Sequence, residues 1–350
     1  MTFAQALAAL DARTNYESSG RLVSPSLDRM RALCDLLAQP QASYPSVHVT
    51  GTNGKTTVAR IATELLRSLG LAVGTYTSPH LHDVCERMTY DARPISEQDF
   101  AETYEYLEPF LKEVDGRGTP LTWFETITAL AQVWFAERSV DVAVVEVGMG
   151  GEWDATNLHD GRVAVVTDVA LDHPELGSTP AEIATEKSGI VKHGAVCVTA
   201  ASDPAVLDVL RRRCGQVGAT MRRFGVDYSL ERRGAAIGGQ TLEIRVGEQR
   251  FTDLFLPLFG EALGRDAAVA LAAVLSFVGD RAVEPEAVRE AFAAVRDPGR
   301  VEVLQRHPLI VADGAHNPAA AGALADAMHE SFQWDRLVAV AGILADKDLP

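Results

Sequence analysis

The chain has 350 residues, which is enough for two or three domains, and its 47% hydrophobic and 23% charged residues are a balance typical of globular proteins. The formal net charge at pH 7 is −16 and no basic stripe offsets it, which argues against a nucleic-acid partner. No apolar run reaches the length of a membrane span, so a membrane partner is not expected either.

The cysteines indicate the compartment. Cys34, Cys85, Cys197 and Cys214 are far apart and form no CxxC pair, so neither a zinc site nor a disulfide framework is predicted. Reduced thiols fit the cytoplasm best, and residues 1–12 show no basic leader before an apolar run. We therefore expect a cytoplasmic protein. A monomer is also expected.

Segments typical of strands and helices alternate over most of the chain. Two runs rich in valine, 142–147 and 163–167, are of the kind that is buried in a parallel sheet. This alternation predicts an α/β fold with a doubly wound, mostly parallel sheet. The predicted strands are residues 47–49, 71–76, 142–147, 163–167 and 195–198, and the predicted helices are residues 55–70, a segment after Ser96, 122–138 and 179–190.

A different pattern follows in the segment 227–258. Residues 242–246 and 250–255 alternate apolar and polar side chains and predict a small antiparallel hairpin. Helices are predicted after it, at residues 261–277 and 285–295.

The triplet Asp297-Pro298-Gly299 is a strong turn signal, so a domain boundary is predicted there, between residues 1–296 and 297–350. The second domain is predicted to be Rossmann-like α/β. It is also expected to be incomplete, because no helix follows to cover its second strand. Its predicted elements are a strand at 309–312, a helix at 318–330 and a strand at 337–341.

A glycine-rich loop follows the first predicted strand and leads into a helix. Glycines let backbone N–H groups converge on a phosphate, Lys55 supplies a charge for the β- and γ-phosphates, and Thr56 or Thr57 offers a hydroxyl to Mg²⁺. The strict nucleotide-loop pattern has glycine where Val49 stands, so this loop is a variant. The plainer alternative is a strand–turn–helix with a surface lysine. The residues predicted to bind the phosphates of ATP are Gly51, Thr52, Asn53, Gly54, Lys55, Thr56 and Thr57.

Further motifs follow the loop in a fixed order. They are YTSPHL at 76–81, ERM at 86–88, LTWFE at 121–125, EVGMGG at 146–151, DATN at 154–157, LDH at 171–173, EKSGI at 186–190, PGR at 298–300 and DGAHNP at 313–318. The loop resembles that of the Mur ligase superfamily, whose members join a carboxylate to an amine through an acyl phosphate. The ordered set resembles the folylpolyglutamate synthase/dihydrofolate synthase family, and the resemblance runs from about residue 10 to the last residue.

Three polar residues follow predicted strands. Glu146 ends a buried valine-rich strand, Ser78 follows the strand at 71–76, and His173 follows the strand at 163–167. Because ligands of open α/β sheets lie at the carboxyl ends of the strands, these side chains are expected to lie together. The resemblance implies that Ser78, Glu146 and His173 hold Mg²⁺ beside the phosphates. For His173 the alternative is a helix-capping or hydrogen-bonded core histidine.

The resemblance also implies roles for residues outside the loop. Lys187 would carry a carbamate derived from CO₂, whereas the plain alternative is a surface lysine near a helix C-terminus. Asp266, Arg300 and Asp313 would bind the nucleotide, the last two from across the domain boundary. His316 would lie near the transferred phosphate, or else order its own loop. The predicted catalytic residues are therefore Lys55, Lys187 and His316.

The substrate side is implied to consist of two segments, and their aromatic residues offer a surface for a flat pterin ring. Core packing is the alternative for any one of these aromatic side chains. The predicted substrate-binding residues are Thr122, Trp123, Phe124, Glu125, Trp153, Asp154 and Ala155.

Together these motifs imply an ATP- and Mg²⁺-dependent ligase that adds L-glutamate to a pterin carboxylate, with dihydropteroate, tetrahydrofolate or both as acceptor. Two departures from the family pattern put ATP affinity in doubt: Leu263 stands where the family usually has glutamine, and Asp266 where it has asparagine. They leave open a catalytically impaired nucleotide-binding paralogue. Another Mur-type amide ligase is a further alternative.

Overall fold

The computed structural model of the chain describes residues 1–16, 26–279 and 283–342. The helices in this part are α1 (Phe3–Asp11), α2 (Asp28–Leu36), α3 (Lys55–Ser68), α4 (Glu97–Asp115), α5 (Trp123–Glu137), α6 (Pro180–Lys187), α7 (Pro204–Val217), α8 (Glu261–Val278), α9 (Pro285–Ala294) and α10 (Pro318–Ser331). The strands are β1 (Ser46–Thr50), β2 (Val73–Tyr76), β3 (Met88–Tyr90), β4 (Arg93–Pro94), β5 (Val142–Glu146), β6 (Val163–Val166), β7 (Val196–Thr199), β8 (Thr220–Arg223), β9 (Tyr228–Ala236), β10 (Gly239–Val246), β11 (Gln249–Leu256), β12 (Glu302–Arg306) and β13 (Leu309–Ala312).

The large sheet has the strand order β4-β3-β2-β5-β1-β6-β7-β8. Its pairs from β2 to β8 are parallel, and only β3 and β4 add antiparallel pairs at one edge. The predicted mostly parallel α/β sheet is therefore confirmed. Strand β1 lies between β5 and β6. The strands β2 to β5 lie on one side of β1, and the strands β6 to β8 lie on the other side. Ligand crevices of such sheets form at this reversal of strand order.

Both faces of this sheet are buried, as the valine-rich runs predicted. Val47 and Val49 of β1 point to one face, where helix α3 covers them and helix α8 covers the neighbouring strands β6 and β7. Ala143 and Val145 of β5 point to the other face and pack with the residues of α5. The alternation follows from the two-residue period of a strand, and it leaves the sheet's carboxyl edge as the place for polar groups. No helix in the described part of the chain is both long and apolar enough to cross a membrane.

The predicted hairpin is confirmed as β10 and β11, but it belongs to a three-stranded antiparallel sheet with the order β11-β10-β9. Strand β9 was not predicted, because its residues do not alternate strictly between buried and exposed. Strand β9 is stabilised by its backbone hydrogen bonds with β10 rather than by an alternating side-chain pattern. Helix α8 packs against this small sheet.

The C-terminal unit differs from the prediction in two respects. Strand β13 pairs antiparallel with β12, which the sequence did not reveal. The predicted strand at 337–341 is wrong: residues 337–342 form no strand, and a strand needs a hydrogen-bonding partner that this described stretch does not have. The predicted strand at 309–312 and the helix beginning at Pro318 are confirmed.

Candidate active site

A cavity of about 500 Å³ opens where the parallel strands end, between the large sheet, the start of α8 and the C-terminal unit. Of the predicted site residues, Gly51, Trp123 and Lys187 are not among those that line it. The predicted residues that do line it are Thr52, Asn53, Gly54, Lys55, Thr56, Thr57, Ser78, Thr122, Phe124, Glu125, Glu146, Trp153, Asp154, Ala155, His173, Asp266, Arg300, Asp313 and His316.

The phosphate loop connects β1 to α3 and needs glycine at two positions. Gly54 has a φ of 82°, and a Cβ there would lie 2.4 Å from an Asp266 carboxylate oxygen. Gly51 has a φ of 148°, and a Cβ there would lie 1.7 Å from the Thr167 hydroxyl. Only glycine avoids both the unfavourable backbone and the overlap. Lys55 Nζ donates to the carbonyls of Gly51 and Thr52 at 3.1 Å each, so it closes the loop onto itself.

Glu146 ends β5 with a buried carboxylate, only 1% exposed. The Thr56 hydroxyl donates to its two oxygens at 2.9 and 3.1 Å, and the Ser78 backbone N–H donates to Oε2 at 3.2 Å. Burial raises the pKa of Glu146 to about 7, although the nearby Lys55 charge opposes the shift. The shift reflects the cost of burying a charged carboxylate, which the hydrogen bonds and the Lys55 charge only partly offset.

His173 lies in the loop after β6, with a left-handed φ of 55°, just before the 3₁₀ turn Pro174–Leu176. Its side chain is 36% exposed, so it is not a core histidine, and it makes no capping hydrogen bond. Its ring nitrogens lie 3.7 Å from carboxylate oxygens of Asp172 and Glu175. It shares the cavity with Ser78 and Glu146. Among the described residues, no group of three or more His, Cys, Asp or Glu side chains is arranged to hold a metal.

Lys187 ends α6 and lies beneath the phosphate loop. Its side chain is 4% exposed, and Nζ donates to the Gly51 carbonyl at 2.8 Å. Burial, and next the charge of Lys55, lower the pKa of Lys187 to about 7. The surface-lysine alternative is therefore wrong. The burial of Lys187 could not be predicted from sequence, because its helix is short and its partner is a backbone carbonyl 136 residues away.

On the nucleotide side, Asp313 and His316 are engaged within their own loop. Asp313 accepts hydrogen bonds from the backbone N–H groups of Val301 at 2.8 Å and Ala315 at 2.7 Å. His316 Nδ1 lies 2.9 Å from the Gly314 carbonyl, and because a carbonyl only accepts, Nδ1 carries the proton. These contacts set the loop against Arg300, which lines the cavity.

Asp266 projects from α8 toward Gly54 of the phosphate loop. Burial, followed by the nearby Asp297 carboxylate, raises the pKa of Asp266 to about 7. Leu263 lies one turn earlier on the same helix and also lines the cavity. Both departures from the family pattern thus lie at the site itself.

Of the two neighbouring aromatic residues predicted to contact the substrate, only Phe124 lines the cavity. Phe124 lines the cavity and lies so close to Gly148 that a Cβ there would be 2.4 Å from the ring. Trp123 is 3% exposed; its Nε1 donates to Asp11 Oδ1 at 3.0 Å, and the Arg87 guanidinium lies 4.6 Å from its ring centroid. The prediction that Trp123 offers a surface to the substrate is therefore wrong, because the contacts with Arg87 and Asp11 hold its ring in the interior.

Thr122 and Glu125 form the capping box of α5, with hydrogen bonds of 3.2 and 2.8 Å between side chains and backbone. Glu125 also forms an ion pair with Arg29 at 3.0 Å. Arg29 lines the cavity and was missed, since a single arginine in a helix carries no sequence signal. Thr122 and Glu125 thus hold the start of α5 and Arg29 in place at the cavity wall.

Asp154 faces the cavity from a buried position. Its carboxylate accepts hydrogen bonds from the Met149 N–H at 3.0 Å and from the Thr156 hydroxyl at 2.5 Å. His48, beneath the phosphate loop on β1, lies with Nε2 2.8 Å from the same hydroxyl. Thr156 lies within the DATN motif but was not among the predicted site residues, and His48 lies outside the motifs; both support Asp154.

A phosphate loop beside a buried carboxylate and lysine, with a second unit closing over a large cavity, defines a nucleotide-dependent enzyme with room for another substrate. The Mur ligase middle domain matches residues 49–274, and the glutamate ligase domain of Mur ligases matches residues 299–349.

Comparison with individual proteins shows which branch of the Mur ligase family the chain resembles. The dihydrofolate synthase/folylpolyglutamate synthase of Mycobacterium tuberculosis is 42% identical in an alignment 345 residues long, which covers 93% of this chain and 71% of that protein. A structure of the Mycobacterium tuberculosis folylpolyglutamate synthase with ADP superposes with a TM-score of 0.92 at 41% identity, covering 99% of this chain and 77% of that one. A complex of folylpolyglutamate synthase (FPGS) with AMPPCP and folate has a TM-score of 0.89 at 33% identity, covering 95% and 82%.

The chain therefore belongs to the Mur ligase family and, within it, to the dihydrofolate synthase/folylpolyglutamate synthases; it is an ATP-dependent, amide-forming ligase. The resemblance stated from the motifs is confirmed. The comparisons favour this interpretation over an impaired paralogue or another Mur-type ligase.

Proposed function

We propose that the chain adds L-glutamate to the carboxylate of a pterin substrate, dihydropteroate or tetrahydrofolate, with ATP as co-substrate. The observation that carries the proposal is the single cavity that brings the phosphate loop, Glu146, Phe124 and Arg300 together. The folate found in one similar structure and the ADP found in another are the two kinds of ligand such a cavity would need to hold side by side.

The reaction would proceed in two transfers. An oxygen of the substrate carboxylate attacks the γ-phosphorus of ATP, the bond to the bridging oxygen breaks, and ADP leaves. The amine of glutamate then attacks the carbonyl carbon of the acyl phosphate; the bond to the phosphate oxygen breaks, and phosphate and the amine proton leave.

The chain's contribution to the first transfer is electrostatic positioning. Backbone N–H groups of the loop and the N-terminus of α3 surround the phosphates. Lys55 exchanges its two carbonyl partners, Gly51 and Thr52, for phosphate oxygens when the nucleotide is bound. Arg300 approaches from the C-terminal unit.

A magnesium ion fits the residues beside the loop. The buried Glu146 carboxylate and the Thr56 hydroxyl, 2.9 Å apart, place oxygen ligands side by side, and Mg²⁺ is commonly held by one or two carboxylates together with substrate phosphates and water. Ser78, Glu146 and His173 would hold it, with Thr56 alongside. The bound ion supplies positive charge that neutralises the phosphate oxygens.

Lys187 is suited to carbamate formation. A carbamate forms when a neutral amine attacks CO₂ and loses a proton, and an ordinary lysine is almost wholly protonated at neutral pH. Because burial lowers the pKa of Lys187 to about 7, a large share of this amine is neutral. The resulting anion would lie next to the cationic Lys55 and would orient it toward the phosphates.

His316 is suited to accept the amine proton in the second transfer. Because Nδ1 donates to the Gly314 carbonyl, Nε2 is the ring nitrogen that can accept a proton. The acceptor substrate would lie against Phe124 and Trp153, with Asp154 and Arg29 as polar contacts.

The test is phosphate release from ATP in the presence of L-glutamate and each pterin in turn. Release that requires both glutamate and a pterin supports the proposal. ATP hydrolysis that is indifferent to both would contradict it.

A further inference from the structure

A pair of asparagine side chains joins the phosphate loop to the C-terminal unit. Asn317 Nδ2 donates to Asn53 Oδ1 at 2.9 Å, and Asn53 Nδ2 approaches Asn317 Oδ1 at 3.5 Å. The two residues are 264 positions apart in the chain, and both amides are partly buried. The predicted binding of phosphate by the loop does not require this contact.

The Asn317 side-chain amide is oriented by a partner of its own, and the backbone of Asn53 is held by another. Asn317 is the N-cap of α10, and its Oδ1 accepts from the Ala320 N–H at 2.9 Å. That bond fixes which side of the amide is oxygen and therefore points Nδ2 at Asn53. On the loop side, the Thr167 hydroxyl donates to the Asn53 carbonyl at 2.6 Å. The contact thus joins an oriented Asn317 amide to the side chain of a loop residue whose backbone is held in place.

Helix α10 is attached to the rest of the protein at its other end as well. Glu330 forms an ion pair with Arg233 of β9 at 2.8 Å, and the rings of Phe332 and Phe259 lie 5.0 Å apart. With 14 residues the helix is about 20 Å long, so it spans the cavity between its two attachments. The amide pair is the attachment that reaches the nucleotide loop.

The loop that ends at Asn317 also sets Arg300 and His316. The Gly314 N–H donates to the Gly299 carbonyl at 2.9 Å, and Asp313 holds the Val301 N–H. A shift of Asn317 would therefore carry Arg300 and His316 with it.

We propose that Asn317 is a positioning residue that couples the placement of Arg300 and His316 to the phosphate loop through Asn53. The inference rests on the proposed ligation and adds a residue to it. The loop's own hydrogen bonds to Thr167 and to the Asp168 carbonyl do not involve Asn317, so nucleotide binding by the loop should survive without the pair.

Asn317→Ser is the decisive variant, because serine caps a helix about as well as asparagine but cannot reach Asn53. We expect kcat to fall about 5- to 20-fold, the loss that corresponds to one or two neutral hydrogen bonds, with the KM for ATP changed less than about threefold and the melting temperature unchanged. Asn317→Ala, which also removes the cap, is expected to lose stability in addition. If Asn317 were only a cap, Asn317→Ser would keep the wild-type kcat, and the inference would be overturned.

A second readout does not depend on ligation. Hydrogen exchange with and without ADP is expected to show protection of residues 51–58 and, in the wild type, also of residues 313–320. Asn317→Ser should keep the protection of residues 51–58 and lose that of residues 313–320. If ADP protected residues 313–320 in Asn317→Ser as strongly as in the wild type, the coupling would be refuted.

In the double variant with Asn53→Ser, the loss of kcat should be no greater than in Asn53→Ser alone, and additive losses would refute the coupling. A wild type that ADP does not protect at all would instead contradict the proposed function.

Discussion

Replacing Lys187 by arginine tests the carbamate, because arginine keeps a positive charge and a similar length but cannot react with CO₂. Lys187 lies under the phosphate loop, 2.8 Å from the Gly51 carbonyl and 4% exposed. We expect Lys187→Arg to lose about 100-fold or more in ligase activity, the usual effect of removing an oriented group that stabilises charge in a transition state.

The structure gives the magnitude of the electrostatic effect. Burial lowers the pKa of Lys187 from 10.5 to about 7. A shift of that size corresponds to on the order of 5 kcal/mol against the charged form. At pH 7 about half of the Lys187 amines are neutral, whereas roughly one exposed lysine in three thousand is. Arginine stays charged and carries the whole penalty, so Lys187→Arg should also melt at a lower temperature.

A neutral variant separates the loss of the carbamate from the burial of charge. Lys187→Gln buries no charge and cannot form a carbamate, so we expect it to fold like the wild type and to be inactive. The folded wild type releases a proton that the unfolded chain keeps between about pH 7 and 10.5, so the contribution of Lys187 to stability rises with pH across that window. That rise should be absent in Lys187→Gln.

The assay is phosphate release from ATP, with glutamate and a pterin, in buffer stripped of CO₂ and again after bicarbonate is restored. The wild type should lose activity and regain it, whereas Lys187→Gln should be inactive in both. Acetate added to Lys187→Ala should restore part of the activity, since it places a carboxylate in the vacated space. An active Lys187→Arg enzyme, or wild-type turnover indifferent to CO₂, would refute the carbamate.

Three further predictions concern the loop and its acidic neighbours. Lys55→Ala should abolish phosphate release while leaving the protein folded by circular dichroism; near-normal turnover would exclude its role at the phosphates. Glu146→Gln should remove Mg²⁺-dependent turnover yet raise the melting temperature at pH 8, because the folded-state pKa of about 7 makes the ionised carboxylate unfavourable above that pH. Below about pH 4.5 the stability difference should vanish, and a wild-type response to Mg²⁺ concentration in this variant would contradict the metal assignment. Asp266→Asn should bind ADP more tightly at pH 8 but not at pH 6, because Asp266, with a pKa of about 7, is charged only at the higher pH. Calorimetric titration at both pH values checks this, and equal affinities at pH 8 would argue against repulsion.

The architecture of the large sheet could be predicted because its signals are local. Valine-rich runs marked β5 and β6 as buried strands, and the glycines of the loop marked the turn after β1. The ends of parallel strands meet at one edge, so the sequence alone predicts that Glu146 and Ser78 lie together. The motifs likewise pointed to the Mur ligase family, because the phosphate loop and the residues at strand ends lie in short, ordered segments.

Other features depended on partners that are distant in the chain. Strand β9 and strand β12 exist because a neighbouring strand accepts their backbone hydrogen bonds, and the segment 337–342 lacks such a partner in the described part of the chain. Trp123 could not be distinguished from Phe124 by sequence, since both begin the same helix and only packing against Arg87 and Asp11 turns one of them inward.

The sequence by itself determined the phosphate loop, the order of strands and helices around it, and the residue types available for phosphate and metal. The tertiary structure alone decided that Lys187 is buried beside Gly51, that Asp266 faces the loop, and that Asn317 reaches Asn53. The physical reason is the range of the interactions: backbone conformation and side-chain periodicity are set within a few residues. Burial, and with it the pKa of a lysine or a carboxylate, is set by atoms that the fold brings from elsewhere in the chain.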